Sequence, residues 1–341
     1  MTGYSTKQAK PQHFITTADF TADQLLEFVN RAIQFKVESK YKKDRTERPM
    51  TGKSMAVLFS KRSTRTRVAT ETAVAYLGGH AMFLGSQDIQ LGVNESLLDT
   101  SRVISSMVDG IMARVGKHQE IELLAQESTV PVINALSDKY HPTQILADLM
   151  TIHEYIHHRQ NGVSDQYTAH TQHPRETLKG LKVAWVGDAN NILQEILVAF
   201  PKVGISVAAA APPGYVCDDD VVAIAKADAE KSGATVSFTT KPEEAIKDAD
   251  IIVTDTWVSM GQEDEKAKRL REFAGYQVTM DLAKRGGAKP DWAFMHCLPR
   301  KPEEVDDEVF YSDRSLVFPE AENRKWTILA VIDALVVKGG I

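Results

Sequence analysis

Apolar and polar positions along the 341-residue chain fall into two successive series, in which short apolar runs alternate with segments of helical spacing. In residues 21–40, Leu25, Leu26, Val29, Ile33 and Val37 form a stripe behind a Thr21/Gln24 capping pair, which predicts an amphipathic helix. A polar stretch, 40–48, leads to the apolar run Met55-Ala56-Val57-Leu58-Phe59, read as a buried strand, and 68–77 reads as a helix stopping at Gly78-Gly79. A strand at 81–84, a polar loop at 85–95, a helix at 96–107, a strand at 110–115, a helix at 118–127, a strand at 131–136 and a helix at 142–158 complete the first series. Alternation of this kind predicts a parallel sheet with helices on its faces.

Residues 159–180 are polar with little periodicity and read as an interdomain connection. The second series has strands at 181–186, 205–211, 235–239, 251–255 and 292–295, with helices at 191–200, 218–232, 242–247 and 266–273. A last helix, 319–337, begins polar and ends apolar, so it is expected to pack across a surface that the rest of the fold leaves open. The expected fold class is α/β, with two doubly wound parallel-sheet domains joined by interdomain helices. The domains are set at 1–158 and 159–318, with 319–341 packing back on the first; the length suits domains of roughly 100 to 200 residues.

Composition narrows the function classes. With 43% hydrophobic residues, 25% charged residues and a net charge of -6, the chain offers no general attraction to nucleic acid or anionic membrane. Any basic cluster is therefore local. Two cysteines, Cys217 and Cys297, argue against a disulfide scaffold and for a reducing compartment. No apolar run reaches the roughly 18 residues of a membrane span. The first ten residues lack the apolar core of a signal peptide and the Arg-rich character of a transit peptide, which leaves targeting open.

Candidate chemistry clusters at predicted strand ends, where ligands bind in open α/β sheets. Ser60-Lys61-Arg62-Ser63-Thr64-Arg65-Thr66-Arg67 follows the first strand and precedes a helix, so free N–H groups, hydroxyls and forked guanidinium groups meet there. This is a phosphate cradle without P-loop glycines; taken alone, the run would also suit a basic surface patch. Arg114 closes an apolar strand, either as a solvated edge or as a ligand contact. His141 and Gln144 flank Pro142 at a helix start, where capping is the alternative role. Asp255 and Ser259 suit an ammonium group, or else cap the next helix. Cys297, in His296-Cys297-Leu298-Pro299-Arg300, is either a small buried hydrophobe or a reactive thiol. Gly187-Asp188-Ala189-Asn190-Asn191 lacks the second and third glycines of a dinucleotide site, so its asparagines are read as hydrogen-bonding a small polar ligand. The histidines show no metal-ligand spacing, and neither metal nor cofactor is expected.

Taken together, residues 63–67, 141–144, 255–261 and 296–300 resemble the transcarbamoylase family, in its ornithine carbamoyltransferase branch, over nearly the whole chain. The resemblance implies transfer of a carbamoyl group from carbamoyl phosphate to L-ornithine, in a homotrimer with active sites between subunits. By that resemblance Ser63, Thr64, Arg65 and Thr66 bind the phosphate, and Arg114, His141, Gln144 and Arg324 surround the carbamoyl group and its bridging phosphate. The carbonyls of Cys297 and Leu298 take the carbamoyl NH₂, while Asn191, Asp255, Ser259 and Met260 hold ornithine. Gln90, in the loop at 85–95, reaches a neighbouring subunit's phosphate. Aspartate-type members carry a lysine in that loop and a proline at the Cys297 position; this chain has neither.

Overall fold

The computed structural model describes residues 11–41, 47–85, 96–162, 171–259 and 263–341. The first half carries α1 (Ala22–Tyr41), β1 (Ser54–Phe59), α2 (Thr64–Tyr76), β2 (His80–Gly85), α3 (Leu97–Ser105), β3 (Gly110–Arg114), α4 (His118–Glu127), β4 (Val132–Leu136) and α5 (Pro142–Asn161). After α6 (Pro174–Leu178), the second half carries β5 (Lys182–Val186), α7 (Asn191–Ala199), β6 (Ser206–Ala210), α8 (Asp219–Ser232), β7 (Val236–Thr239), α9 (Pro242–Ile246) and β8 (Ile251–Val253). It continues with α10 (Lys266–Glu272), α11 (Met280–Gly286), β9 (Ala293–Met295) and α12 (Asp307–Phe310), and the chain closes with α13 (Val317–Ile332).

All strand pairs are parallel, in the orders β2-β1-β3-β4 and β7-β6-β5-β8-β9. In each sheet the chain leaves one strand, winds outward, then returns to that strand's other side. The reversal falls between β1 and β3 in the first sheet and between β5 and β8 in the second. Neighbouring connections diverge at such a point and open a crevice beyond the strands' carboxyl ends.

The expected alternation is present, with differences of placement. The helix after β1 starts at Thr64 rather than residue 68, because the Ser63 hydroxyl accepts the Thr66 N–H and caps it. Thus Thr64–Arg67 form its first turn. The 158/159 boundary falls inside α5, which continues to Asn161 and ends on Gly162 in the left-handed region (φ 62°). Likewise 318/319 falls inside α13, where Pro319 sits in the first turn and its missing N–H costs no helical bond. Strand β8 stops at Val253, so Asp255 lies in a loop. Helices α6, α11 and α12 were not expected; each is seven residues or shorter.

Helix α13 packs over α1, α2 and α5. A buried lysine fixes the three long helices: Lys36 Nζ lies 2.9 Å from both Glu154 carboxylate oxygens and 2.9 Å from Asn323 Oδ1. One apolar cluster runs from Leu25 and Phe28 through Leu149 and Ile152 to Ile196 and Phe200, so the halves share a core at their junction. The N-terminal segment straps them from outside. Phe14 pairs with Ile133 beside the first sheet, while Thr16 and Thr17 reach Glu195 of α7.

Glu195 is fully buried, and its Oε1 accepts the Thr17 N–H (2.7 Å), the Thr17 hydroxyl (2.5 Å) and the Thr16 hydroxyl (3.0 Å). Oε2 has no partner among the described residues, and burial pushes the carboxyl up to about 7. Below its unfolded value near 4.5 the group is protonated in both states. As pH rises from there to about 7, the unfolded chain releases its proton first, so wild-type stability falls by about 3 kcal/mol. Glu195→Gln, which does not titrate, should gain that amount relative to wild type between pH 4.5 and 7. Urea unfolding at several pH values checks this; a difference independent of pH would contradict it.

Candidate functional site

The two crevices face one another across a single cleft of about 930 Å³. On the first side, the N-terminus of α2 presents Ser63, Thr64, Arg65 and Thr66. Arg65 is half-buried and its Nη2 donates to the Leu298 carbonyl at 2.6 Å, so it already bridges to the second half. Arg67 does not join the cradle as the sequence suggested. It pairs with Glu71 (2.8 Å), and its guanidinium carbon lies 3.7 Å from the Phe83 ring centroid.

Arg114 enters from the end of β3, where the register with β4 slips between Ala113 and Arg114, an irregularity that re-aims a side chain. Its carbonyl accepts the Ser60 N–H (2.9 Å), tying the strand end to the cradle. The guanidinium is buried with Nε unpartnered; burial, then the nearby Arg65, lowers its pKa to about 10. Arg324 of α13 is buried and donates to Thr66 Oγ1 (3.0 Å) and Gln144 Oε1 (2.7 Å), with its Nε unpartnered. Its pKa too falls to about 10, chiefly through burial. Both groups remain cationic at neutral pH.

His141 occupies the position before α5 but makes no side-chain capping bond, and its Nδ1 is buried without a partner. Burial, followed by Arg324, Arg114 and Arg65, holds its pKa well below 6.5. The imidazole is therefore neutral, able to donate one N–H but not a charge. Gln144 differs from expectation. It does not line the cleft, because its amide nitrogen donates to Asp148 Oδ1 and Glu320 Oε1, both at 2.8 Å, while its oxygen accepts from Arg324.

The second side carries Asp255, buried in the loop after β8. Its Oδ1 accepts the Cys297 thiol (3.2 Å), and its Oδ2 accepts from Asn190 Nδ2 (2.8 Å). Burial, then Asp255 and Glu320, pushes Cys297 well above 9, so the group is a thiol. The reactive-thiolate alternative loses its footing here. Both asparagines line the cleft: Asn190 caps α7 and donates to Asp255, and Asn191 has its amide on the Ser137 carbonyl (2.8 Å). Ser259 and Leu298 also line it. Leu298 sits in the left-handed region (φ 60°), a backbone strain that aims its carbonyl at Arg65. Gly187 lets β5 approach β8: a Cβ there would lie 3.1 Å from Thr254 Oγ1, at φ 150°. Gln90 and Met260 fall outside the described residues.

Asp255, His296 and Cys297 offer ligand atoms within 4.8 Å of one another. Their atoms are engaged in hydrogen bonds of the protein itself: Cys297 donates to Asp255, His296 Nδ1 accepts the Leu298 N–H (2.9 Å), and its Nε2 faces Glu304 (3.2 Å). Several lining residues were not foreseen. Arg269 of α10 donates to Asp188 Oδ2 (2.8 Å) and to the Trp257 carbonyl (3.0 Å), clamping the Asp255 loop, and Lys301 donates to the Val258 carbonyl (3.1 Å). No local motif marks them, because their partners lie far away in the chain.

Two family models match in succession: the carbamoyl-P binding domain of aspartate/ornithine carbamoyltransferase over residues 12–154, and the Asp/Orn binding domain over residues 179–335. The chain belongs to the aspartate/ornithine carbamoyltransferase family. Among its relatives is a protein named "Ornithine carbamoyltransferase, mitochondrial" from Coccidioides immitis, 53% identical over 335 residues, covering 97% of this chain and 94% of the relative. A crystal structure of a mitochondrial ornithine carbamoyltransferase from the same organism superposes with a TM-score of 0.86 at 49% identity, covering 97% and 99% of the two chains. The ornithine carbamoyltransferase from Pyrococcus furiosus gives 0.85 at 43% identity, covering 96% and 98%. The first family model thus spans the half that carries the cradle, and the second the half that carries Asp255.

Because His141 is already neutral well below pH 6.5, it should not set the pH dependence of carbamoyl transfer above that point. His141→Leu, which has no donor, should lower kcat by roughly 10²–10³, as expected for loss of one fixed donor. The shape of its pH–rate profile between pH 6.5 and 9 should match wild type. A displaced midpoint in steady-state assays would show that His141 titrates in the working range.

Proposed function

We propose that the chain is an ornithine carbamoyltransferase, transferring the carbamoyl group of carbamoyl phosphate to the side-chain amine of L-ornithine and releasing L-citrulline and phosphate. The observation that carries this reading is the polarity of the cleft: buried cations converge at one end, and the Asp255 carboxylate faces them from the other. The cationic end suits a phosphate. The acidic end suits an amine nucleophile; of the cations there, Arg269 is paired with Asp188, and Lys301 donates to the Val258 carbonyl.

Phosphate oxygens are assigned to Ser63, Thr64, Arg65, Thr66 and the α2 N–H groups, with Gln90 of a neighbouring subunit. The carbamoyl oxygen goes to Thr66, Arg114 and His141, and the carbamoyl NH₂ to the carbonyls of Cys297 and Leu298. Arg65 occupies the Leu298 carbonyl in the structure, so it turns toward the phosphate when that ligand arrives. Arg324 and Gln144 complete the surroundings of the bridging oxygen, Gln144 acting through Arg324. Asn191, Asp255, Ser259 and Met260 hold ornithine.

The side-chain amine of ornithine resembles lysine, with a pKa of about 10.4, and must lose a proton before it attacks. Asp255 is the nearest carboxylate; the Cys297 thiol, protonated, orients it. The free amine adds to the carbamoyl carbon, and the charge that gathers on the carbonyl oxygen meets donors fixed in advance, each typically worth about 2.7–4 kcal/mol. Phosphate then leaves into the cradle. No covalent enzyme intermediate is needed once the two ligands are held in contact. The assembly assigned is a homotrimer with shared sites, and no nucleic acid or membrane partner is assigned. None of the described helices is long and apolar enough to cross a membrane. The C. immitis relative is named mitochondrial, and the location assigned here is intracellular: the mitochondrial matrix for a mature form, or the cytoplasm.

A colorimetric citrulline assay with both substrates tests the activity, and absence of product from folded protein would overturn it. Arg65→Lys keeps the charge but loses the fork, so KM for carbamoyl phosphate should rise by roughly 10- to 100-fold, since a charged hydrogen bond contributes about 1.5–3 kcal/mol. An unchanged KM would remove Arg65 from the cradle. Inactive Gln90→Ala and Arg65→Ala subunits, mixed and reassembled, should regain part of the activity only if sites are shared between subunits.

A further inference from the structure

Glu320 is the hub of a chain of contacts that runs beneath the cleft from one half to the other. It lies in α13, four residues before Arg324, and is 2% exposed. Its Oε2 accepts the His296 N–H at 3.0 Å, at the root of the loop that carries Cys297 and Leu298. Its Oε1 accepts from Gln144 Nε2 at 2.8 Å. The Gln144 oxygen in turn accepts from Arg324 Nη1 at 2.7 Å, and Arg324 Nη2 donates to Thr66 Oγ1 at 3.0 Å. Spacing of four places Glu320 and Arg324 on one helix face, so together they grip both ends of a single carboxamide.

We propose that Glu320 is a positioning residue for carbamoyl transfer, coupling the phosphate cradle to the 296–300 loop through Gln144 and Arg324. The inference rests on the proposed function, since it concerns how the transfer site is held. Only a carboxyl group fits both tasks. It supplies two acceptor oxygens on opposite sides, one for the His296 N–H and one for the Gln144 amide, whereas a carboxamide supplies a single acceptor. Asp148 closes the arrangement. Its Oδ1 accepts the other Gln144 amide hydrogen at 2.8 Å, so two buried carboxyls converge on one nitrogen. Burial raises both carboxyls, and the neighbouring Asp148 raises Glu320 further, so the pair keeps a proton at neutral pH. The charged and titratable groups facing the pair are Arg324 from α13, His296 and Cys297 from the loop after β9, and Asp255 from the loop after β8.

The consequence concerns the fit of the phosphate rather than the fold. With Glu320 replaced, Gln144 can rotate and Arg324 loses the partner that sets its plane against Thr66. The test uses full-length wild type and the variants Glu320→Gln, Gln144→Leu and the double variant. Three readings are taken: inorganic phosphate affinity by calorimetry, KM for carbamoyl phosphate with kcat, and the melting temperature. Glu320→Gln should weaken phosphate binding and raise KM for carbamoyl phosphate by about tenfold, with a smaller change in KM for ornithine. Gln144→Leu should do the same, and the double variant should be no worse than either single variant, because one chain is being cut twice. Additive losses, or phosphate affinity equal to wild type in either single variant, would overturn the coupling. If Glu320→Gln does not fold, Glu320→Asp takes its place: the shorter carboxyl cannot span both partners, and wild-type phosphate affinity there would overturn the proposal equally. Wild-type citrulline production is measured alongside, so failure of the underlying activity is read separately from failure of the coupling.

Discussion

Three guanidinium groups, those of Arg65, Arg114 and Arg324, converge on the cleft, close enough that Arg65 disfavours the charge of buried Arg114 and both disfavour that of buried Arg324. Placing like charges together away from water is unfavourable unless something opposes it, and the surrounding architecture supplies that opposition. Hydroxyls, carbonyls and the Gln144 amide hold the cations at fixed distances, and the first turn of α2 adds backbone donors instead of acceptors. The result is a site pre-strained for an anion. A phosphate relieves repulsion and satisfies donors in one event, which is why the cradle needs no glycine-rich loop.

The same constraint explains why the two halves are built alike. Each sheet reverses its winding once, and each reversal opens a crevice at strand carboxyl ends. One crevice gathers cations, and the other carries the Asp255 carboxylate. Long helices α5 and α13, pinned by the Lys36–Glu154–Asn323 cluster, keep the crevices opposed without placing bulk between them. Contacts that bridge the cleft are polar and few: Arg65 to the Leu298 carbonyl, Asn191 to the Ser137 carbonyl, and Lys139 to Asp218 and Asp220. Such contacts exchange readily for ligand contacts.

Much of this was legible in the sequence because strand cores are short and apolar, and because hydroxyls and guanidinium groups at a strand–helix junction have few structural uses. Position alone separated Arg65 from Arg67 poorly. Two residues apart on a helix they face different ways, and only Phe83 and Glu71 reveal where Arg67 goes. Asn190 and Asn191 were indistinguishable for the same reason. The role of Gln144 was hidden more deeply, since the residues that occupy its carboxamide, Glu320 and Arg324, lie 176 and 180 positions away. Short helices such as α12 escaped because four residues carry no periodicity.

The bond between Arg324 and Thr66 joins residues 258 positions apart. A chain emerging from the ribosome can form the first sheet and expose its α2 terminus long before α13 exists, yet the cradle then lacks a cation and its roof. Contacts of such sequence separation form late, after the loop-closure cost of the intervening fold has been met. Completion of the cradle therefore waits on α13, long after the motif at 63–67 has been made. Loss of a few turns from the far carboxyl end would silence a site whose visible motif lies near residue 64.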